Sequence, residues 1–132
     1  MKPLITGALG HIGSRFTHTL ERNAFDEVYL LDDLSTQRYP SLLTLPRDIN
    51  FSFLEKDITS TNLEPIFETV DVVIHLAAIT DATASINNPI KVEEVNYIGT
   101  ERVATACANT NTALIFPSTT SVYGSKKLIV NE

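Results

Sequence analysis

Short apolar segments alternate with amphipathic segments along most of the chain. The apolar segments have the length of buried strands, and they lie at residues 2–6, 27–33, 50–58, 71–78 and 112–119. The fourth, DVVIHLAA, is almost uniformly apolar, which is typical of a strand that is covered on both faces. Strands that alternate with helical segments five times predict an α/β fold with a doubly wound parallel sheet.

The segments between the strands carry helical periodicity. In HIGSRFTHTLER (11–22), Ile12, Phe16 and Leu20 lie four residues apart, which predicts one apolar stripe on the first helix. The connector between Pro40 and Pro46 is predicted to hold no more than a turn or two of helix.

The two later helices carry recognisable start signals. Around residues 61–70, two starts are open: a capping box formed by Thr61 and Glu64, or Pro65 in the first helical turn. The longest helix is predicted to start at Asn88-Pro89, where Asn88 can cap and Pro89 fits the first position, and to run through residues 89–108.

Composition narrows the class of protein. The 132 residues fit one domain, and 43% hydrophobic with 20% charged residues is typical of a soluble globular protein. A net charge of −6 with scattered basic residues argues against nucleic acid as a partner. No apolar run approaches the roughly 18 residues of a membrane span, and the N-terminus is too short an apolar segment for a signal peptide. A single cysteine excludes an internal disulfide, so we expect a cytoplasmic location and no metal site.

Three of the five glycines lie in ITGALGHIGSRF (5–16), directly after the first predicted strand. Gly7 permits a tight turn, Gly10 lets the backbone approach a pyrophosphate, and Gly13 allows the helix to pack closely on the sheet. The free amides at the start of the first helix, together with the helix dipole, favour an anionic ligand. The segment therefore predicts a phosphate-binding loop.

An acidic residue supports this prediction. Asp32 follows Gly13 by 19 residues and ends the second predicted strand, where a carboxylate can accept from the hydroxyls of an adenosine ribose. An acid at this position repels a 2′-phosphate, which favours NAD over NADP. Alternatively, Asp32 and Asp33 are turn residues that only cap the strand end. Together with the glycines, Asp32 predicts a Rossmann-type NAD(P)-binding domain over residues 1–132.

The chain also resembles a known family. The spacing in TGALGHIG is G-x-x-G-x-x-G, and it is followed in order by LLDDLS, KDI, VVIHLAA, VNYIGT and PSTTSVYG. This series resembles the extended short-chain dehydrogenase/reductase family, which includes the nucleotide-sugar epimerases and dehydratases, and it is most similar to UDP-glucose 4-epimerase-like members. The resemblance implies the N-terminal part of such an enzyme, truncated after about five strands and without the substrate lobe.

The resemblance implies an NAD site along the carboxyl ends of the strands. The glycine loop would surround the pyrophosphate, acids after the second and third strands would hold the adenosine, and Asn96 would brace the loop near the active site. The implied cofactor-binding residues are Gly7, Gly10, His11, Ile12, Gly13, Asp32, Asp33, Asp57, Ile58, Leu76, Ala77, Ala78, Asn96 and Ser118.

The resemblance also implies residues on the substrate side. Thr119 lies four residues before Tyr123 and matches the catalytic Ser/Thr, whose hydroxyl would bond the substrate oxygen that gains or loses hydride. Thr80 and Tyr123 would line the substrate pocket. Tyr123 and Lys127 have the Tyr-x-x-x-Lys spacing of the proton-transfer pair, but in the family that pair lies on a later helix. His75, in the buried fourth strand, is predicted to be a hydrogen-bonded core histidine and not a catalyst.

Three functional hypotheses remain open. The favoured one is the NAD half of a nucleotide-sugar epimerase or dehydratase that acts by transient hydride transfer, and that is little active alone. The others are a non-catalytic NAD(H)-binding module and an NADP-linked reductase of the same fold. The first implies a nucleotide-sugar substrate in the longer enzyme and a possible homodimer through the helix at 89–108. Part of ALIF (113–116) should be left uncovered, since no helix is available to pack on that strand.

Overall fold

A computed structural model describes residues 1–21, 24–80 and 86–118. Helices and strands alternate along the described chain, as the apolar pattern predicts. The elements are β1 (Pro3–Thr6), α1 (His11–His18), β2 (Val28–Asp32), a 3₁₀ segment (Tyr39–Thr44), β3 (Phe51–Glu55), α2 (Glu64–Phe67), β4 (Val72–His75), α3 (Pro89–Glu93), a π-helical segment (Glu94–Gly99), α4 (Thr100–Thr110) and β5 (Ala113–Ile115).

The five strands form one parallel sheet in the order β3-β2-β1-β4-β5. Ile5 of β1 lies opposite Leu30 of β2 on one side and opposite Ile74 of β4 on the other. This arrangement confirms the predicted doubly wound sheet. The strand order reverses between β1 and β4, and in open α/β sheets a crevice forms at such a point, beyond the carboxyl ends of the strands.

Two separate hydrophobic clusters cover the two faces of the sheet. Leu4 and Leu31 belong to the cluster that includes residues of α2 and α4, whereas Ile5 and Leu30 belong to the cluster that packs against α1 and the 3₁₀ segment. Neighbouring residues of one strand point to opposite faces, so a continuous apolar run fills both clusters.

Helix α1 follows the predicted stripe only in part. Phe16 and Leu20 pack on the sheet, but Ile12 is 69% exposed, so the prediction of a buried stripe was wrong at that position. The helix runs back along the sheet from the carboxyl ends of the strands, and its first turn therefore lies beside those carboxyl ends. At the other end of α1, His18 is half-buried and its Nε2 lies 2.9 Å from Thr44 Oγ1 of the 3₁₀ segment.

The starts of α2 and α3 differ in how well they were predicted. The Thr61–Glu64 capping box does not form, because the Thr61 amide donates to Asp57 O and α2 begins at Glu64 without a side-chain cap. The alternative, Pro65 in the first turn, is the one observed. At α3, Asn88 caps as predicted: its Oδ1 accepts from the Lys91 amide at 3.2 Å.

The strand β5 lies at the edge of the sheet, and all three of its residues are exposed. Leu114 is 36% exposed, Ile115 54% and Phe116 55%, which confirms the uncovered patch expected for ALIF. Within the described ranges, no helix combines the length and the apolar character needed to cross a membrane.

Candidate functional site

The glycine loop joins β1 to α1 where the strand order reverses. Gly7 has φ +64°, a conformation that side chains with a Cβ rarely adopt. A Cβ on Gly7 would lie 2.6 Å from both Cα and N of Ala77, directly after β4. Gly7 is therefore required by the close approach of the segments that follow β1 and β4.

The second and third glycines have different surroundings. A Cβ on Gly13 would lie 2.3 Å from the carbonyl oxygen of Gly7 and 2.8 Å from that of Ala8. A Cβ on Gly10 would meet one backbone atom among the described residues, the oxygen of Gly7, at 3.2 Å. Gly7 and Gly13 thus serve the packing of the loop, whereas Gly10 leaves space above it.

Helix α1 begins with a turn that suits an anion. Its N-cap is Gly10, which supplies no side-chain bond, and the first turn holds no acidic residue. The first bond that closes the helix is from the Ser14 amide to Gly10 O, at 2.9 Å. The preceding amides of His11, Ile12 and Gly13 belong to the first turn, where amides have no intrahelical acceptor. The loop therefore presents backbone donors at the positive end of the helix.

Asp32 ends β2 and connects it to this loop. Its Oδ2 accepts from the Leu9 amide at 3.0 Å, and its Oδ1 accepts from the Leu34 amide at 3.0 Å. The residue is 7% exposed. Burial raises the pKa of Asp32, a shift that the two amide bonds oppose. Since each carboxylate oxygen can accept more than one bond, the side chain can both hold the loop and accept from a sugar hydroxyl.

Asp33 and Asp57 form local turns at the same edge of the sheet. Asp33 Oδ1 accepts from the amide and the hydroxyl of Ser35, at 3.0 and 2.7 Å. Asp57 Oδ1 accepts from the amide and the hydroxyl of Thr59, at 2.7 and 2.8 Å. Burial acts to raise the pKa of Asp57, but the bonds from Thr59 and nearby positive charges outweigh it and lower the pKa. In both acids these bonds are accepted by Oδ1, and none of them occupies Oδ2. A role in the local turn and a role in ligand binding are therefore compatible.

Ile58 lies in the core, where its contacts are with the long helix. It is 4% exposed, and a Cβ on Gly99 would lie 2.8 Å from its Cδ1. Its carbonyl oxygen accepts from Arg102 Nε at 3.1 Å. The side chain of Ile58 therefore packs in the core. Its role in an adenine pocket stays a prediction.

A hydrogen-bond network joins the carboxyl ends of β1 and β4. Thr6 Oγ1 accepts from the amides of Leu76 and Ala77 at 3.2 and 3.3 Å, and it lies 2.6 Å from His75 Nδ1. His75 Nε2 lies 2.9 Å from Thr100 Oγ1 of α4. His75 is 1% exposed, and burial lowers its pKa to about 4. The prediction of a hydrogen-bonded core histidine is confirmed.

Asn96 holds the segment after β4. Its Oδ1 accepts from the Ile79 amide at 2.7 Å, and its Nδ2 donates to Ile79 O at 2.9 Å. The expected brace is therefore present, while a contact of Asn96 with a cofactor stays a prediction. Ala78 and Thr80, on either side of Ile79, are exposed at the crevice edge.

The predicted site residues after β5 fall at the end of the described residues or outside them. Ser118 is exposed and follows β5. Thr119, Tyr123 and Lys127 lie outside the described residues.

Two contacts of the site were not predicted. Thr6 bonds His75, which ends β4, and the amides of Leu76 and Ala77 directly after it. One sign of this role was present in the sequence, a hydroxyl at the carboxyl end of a buried strand. Arg38, in the connector before the 3₁₀ segment, bonds the Nδ1 of His11 through its guanidinium. No pattern in the sequence indicated this second contact, because the two residues lie 27 positions apart, His11 at the start of α1 and Arg38 in the connector after β2.

A parallel sheet with a glycine loop at its reversal point and a carboxylate at the end of the neighbouring strand defines the Rossmann-type, dinucleotide-binding class of domain. More narrowly, the chain belongs to the NAD dependent epimerase/dehydratase family, whose sequence profile matches residues 3–132. The predicted fold and the family resemblance are both confirmed.

Similar proteins include nucleotide-sugar enzymes from several organisms. A Bacillus subtilis (strain 168) protein described as an uncharacterized UDP-glucose epimerase is 32% identical over 141 residues, which cover 100% of this chain and 44% of the relative. A dTDP-D-glucose 4,6-dehydratase of Dictyostelium discoideum is 36% identical over 130 residues, covering 94% of this chain and 30% of the relative. The chain thus spans less than half the length of these curated relatives.

Solved structures of nucleotide-sugar epimerases have the same fold as this chain. The UDP-glucuronic acid 4-epimerase from Bacillus cereus, in complex with UDP-glucuronic acid and NAD, superposes with a TM-score of 0.86 at 32% identity, covering 100% of this chain and 44% of that one. The UDP-N-acetylglucosamine 4-epimerase from Methanobrevibacter ruminantium M1 gives a TM-score of 0.86 at 29% identity, covering 99% and 42%.

Proposed function

We propose that this chain binds NAD across the reversal point of the sheet, with the pyrophosphate on the first turn of α1. The observation that carries the proposal is the contrast among the three glycines. Cβ atoms on Gly7 and Gly13 would lie closer than 3.0 Å to several backbone atoms, whereas a Cβ on Gly10 would have a single tight contact with the described part of the chain, 3.2 Å from Gly7 O. A glycine with this weaker packing requirement, at a helix start without a side-chain cap, fits the approach of a phosphate.

The acids of the neighbouring strands fit the adenosine half. Asp32 lies beside the loop through its bond to the Leu9 amide, so a ribose that extends from the pyrophosphate toward β2 would reach this carboxylate. Asp33 and Asp57 add negative charge at the same edge, which disfavours the 2′-phosphate of NADP. His11 and Ile12 are exposed at the loop and would lie against the pyrophosphate.

The position of the adenosine half determines where the nicotinamide half of the dinucleotide would lie. If the adenosine lies over β2, the nicotinamide half extends over β4, where Leu76, Ala77 and Ala78 follow the strand. When bound there, NAD supplies an acceptor for a hydride from the substrate. The chain's own contribution is to hold the backbone at this end of the sheet through Thr6 and Asn96.

For the activity, we propose that these residues supply the NAD half of a nucleotide-sugar epimerase or dehydratase. The support is the family of the chain, together with the nucleotide sugars and NAD that are bound in similar solved structures. Thr119 as the hydroxyl that bonds the reacting oxygen, with Thr80 and Tyr123 around the substrate and Ser118 at the cofactor, follows from the family resemblance.

Calorimetric titration of the chain with NAD and with NADP tests the binding proposal. We expect NAD to bind at least about tenfold more tightly than NADP, a difference of about 1.4 kcal/mol. Gly10→Ala should weaken NAD binding by about tenfold or more with little change in thermal unfolding, because its Cβ displaces a ligand more than protein atoms.

A matched control is Ala108→Ser, which also adds one heavy atom, at an exposed position near the end of α4 at the opposite edge of the sheet. It should leave NAD affinity unchanged. The proposal fails if the folded wild-type chain does not bind NAD, or if Gly10→Ala binds NAD as well as the wild type does.

A further inference from the structure

Four elements meet at one buried side chain, His75. Its Nδ1 bonds Thr6 of β1 and its Nε2 bonds Thr100 of α4. Its ring stacks on Phe116, directly after β5, with ring centroids 5.6 Å apart and planes inclined by 25°. His75 itself ends β4. The residue therefore connects both strands at the reversal point with the long helix and with the segment that leads to Ser118.

The donors and acceptors of this network fix the position of each proton. Thr6 Oγ1 accepts from the amides of Leu76 and Ala77, so both of its lone pairs are used. Its own proton must then be donated to Nδ1 of His75, which leaves the imidazole proton on Nε2 as the donor to Thr100 Oγ1. The neutral imidazole with its proton on Nε2 is the one form that satisfies every group, and burial favours a neutral ring.

Because of this proton order, the Thr6 hydroxyl has one orientation. An acceptor at Nδ1 turns the proton of Thr6 toward His75 and its lone pairs toward the amides of Leu76 and Ala77. Without that acceptor, the hydroxyl is free to rotate. The Ala77 amide then loses its fixed partner, whereas the Leu76 amide loses its second acceptor and keeps its bond to the backbone oxygen of Thr6 at 3.1 Å. These are the amides over which the nicotinamide half would lie.

We propose that His75 is a positioning residue for the nicotinamide half of NAD, and this inference rests on the proposed function. It acts through Thr6 on the backbone of Leu76 and Ala77, and through its stack on Phe116 on the segment with Ser118. It does not touch the adenosine half, which binds at the β2 side of the crevice. Loss of His75 should therefore weaken the binding of the nicotinamide half and leave the binding of the adenosine half unchanged.

The variant His75→Phe tests this separation, because it keeps a ring of similar volume for the stack on Phe116 and removes both hydrogen bonds. NADH probes the whole cofactor, and its fluorescence reports the surroundings of the nicotinamide. ADP-ribose probes the same site without the nicotinamide. For the wild-type chain, we expect NADH to bind more tightly than ADP-ribose and its emission to increase on binding.

In His75→Phe, ADP-ribose affinity should stay within about twofold of the wild type, whereas NADH affinity should fall about tenfold and its emission increase should be lost. Thr100→Val, which keeps the imidazole and removes only the partner of Nε2, should give an intermediate loss. It also serves as the test if His75→Phe does not fold. The control is His18→Phe, the same exchange at the far end of α1, and it should leave both ligands unchanged.

Several results would overturn the inference. If folded His75→Phe and Thr100→Val keep the NADH affinity and emission of the wild type, His75 does not position the nicotinamide. If they lose ADP-ribose and NADH affinity equally, His75 is only structural. If the wild-type chain binds neither ligand, the proposed function itself is wrong, which is a different outcome from the first two.

Discussion

At the scale of single residues, some parts of the site could be predicted from the spacing of residues in the sequence. Contacts between residues far apart in the chain could not. Gly7, Gly13 and Asp32 were predictable because their places follow from the order of strand, turn, helix and strand. The partners of His75 were not predictable, since Thr6 lies 69 positions before it and Thr100 lies 25 after it. Ile12 was predicted wrongly, because helical spacing alone does not show where the sheet beneath the helix ends.

His75 also makes stability depend on pH. Its pKa is lowered by burial from 6.5 to about 4 in the folded chain, so between these values the unfolded chain binds the proton more readily. The stabilisation is therefore complete above about pH 6.5 and is lost as the pH falls toward 4, by up to about 3 kcal/mol.

Urea denaturation of the wild type and of His75→Phe at pH 7.5 and 4.5 measures this effect. The free energy of unfolding of the wild type should fall between the two pH values by about 3 kcal/mol more than that of His75→Phe. Equal pH dependence in the two proteins would show that the buried imidazole is not responsible. Carboxylates contribute to both proteins alike and cancel in the comparison.

At the scale of elements, the long helix is one predicted unit that the structure divides into α3, a π-helical segment and α4. Its start was predictable, because Asn88 and Pro89 are local signals. The π-helical turn was not, since nothing in the apolar spacing marks it. The turn includes Asn96, whose side-chain amide forms hydrogen bonds with both the N–H and the C=O of Ile79. π-helical turns are often found at functional sites, which agrees with a place beside the crevice.

The bonds of Asn96 can be tested one at a time. Asn96→Asp keeps an acceptor for the Ile79 amide but has no donor for Ile79 O, whereas Asn96→Ala has neither. In hydrogen exchange, the Ile79 amide should exchange about fivefold faster in Asn96→Ala than in Asn96→Asp, which corresponds to one lost bond of about 1 kcal/mol. Equal exchange in the two variants would mean that the amide is protected by something other than Asn96.

At the scale of the whole molecule, the alternation of strands and helices predicted a parallel sheet with part of ALIF uncovered, but not the order of the strands. Within the described part of the chain, β5 is an outer strand of the sheet, and Ile115 and the following Phe116 expose apolar side chains there. We therefore expect the purified chain to associate with increasing concentration. Sedimentation velocity should show less association for Ile115→Thr, which keeps β-branching, than for the wild type.

A suitable control for that experiment is Leu43→Thr, since Leu43 is 83% exposed in the 3₁₀ segment, away from β5. It should associate as the wild type does. If both variants reduce association to the same degree, general surface hydrophobicity is the cause and the edge of the sheet is not.

The central place of β1 has a consequence for how the polypeptide is made. β1 emerges from the ribosome before both of its neighbours in the sheet, β2 and β4, and the second of these, Val72–His75, is translated much later than the first. A nascent chain can pair β1 with β2 early, but the other side of β1 then stays unpaired through the synthesis of some forty further residues (roughly 2–8 seconds at typical elongation rates). During that interval the growing polypeptide is a natural client for a chaperone, and slowing translation before residue 72 should lengthen its dependence on one.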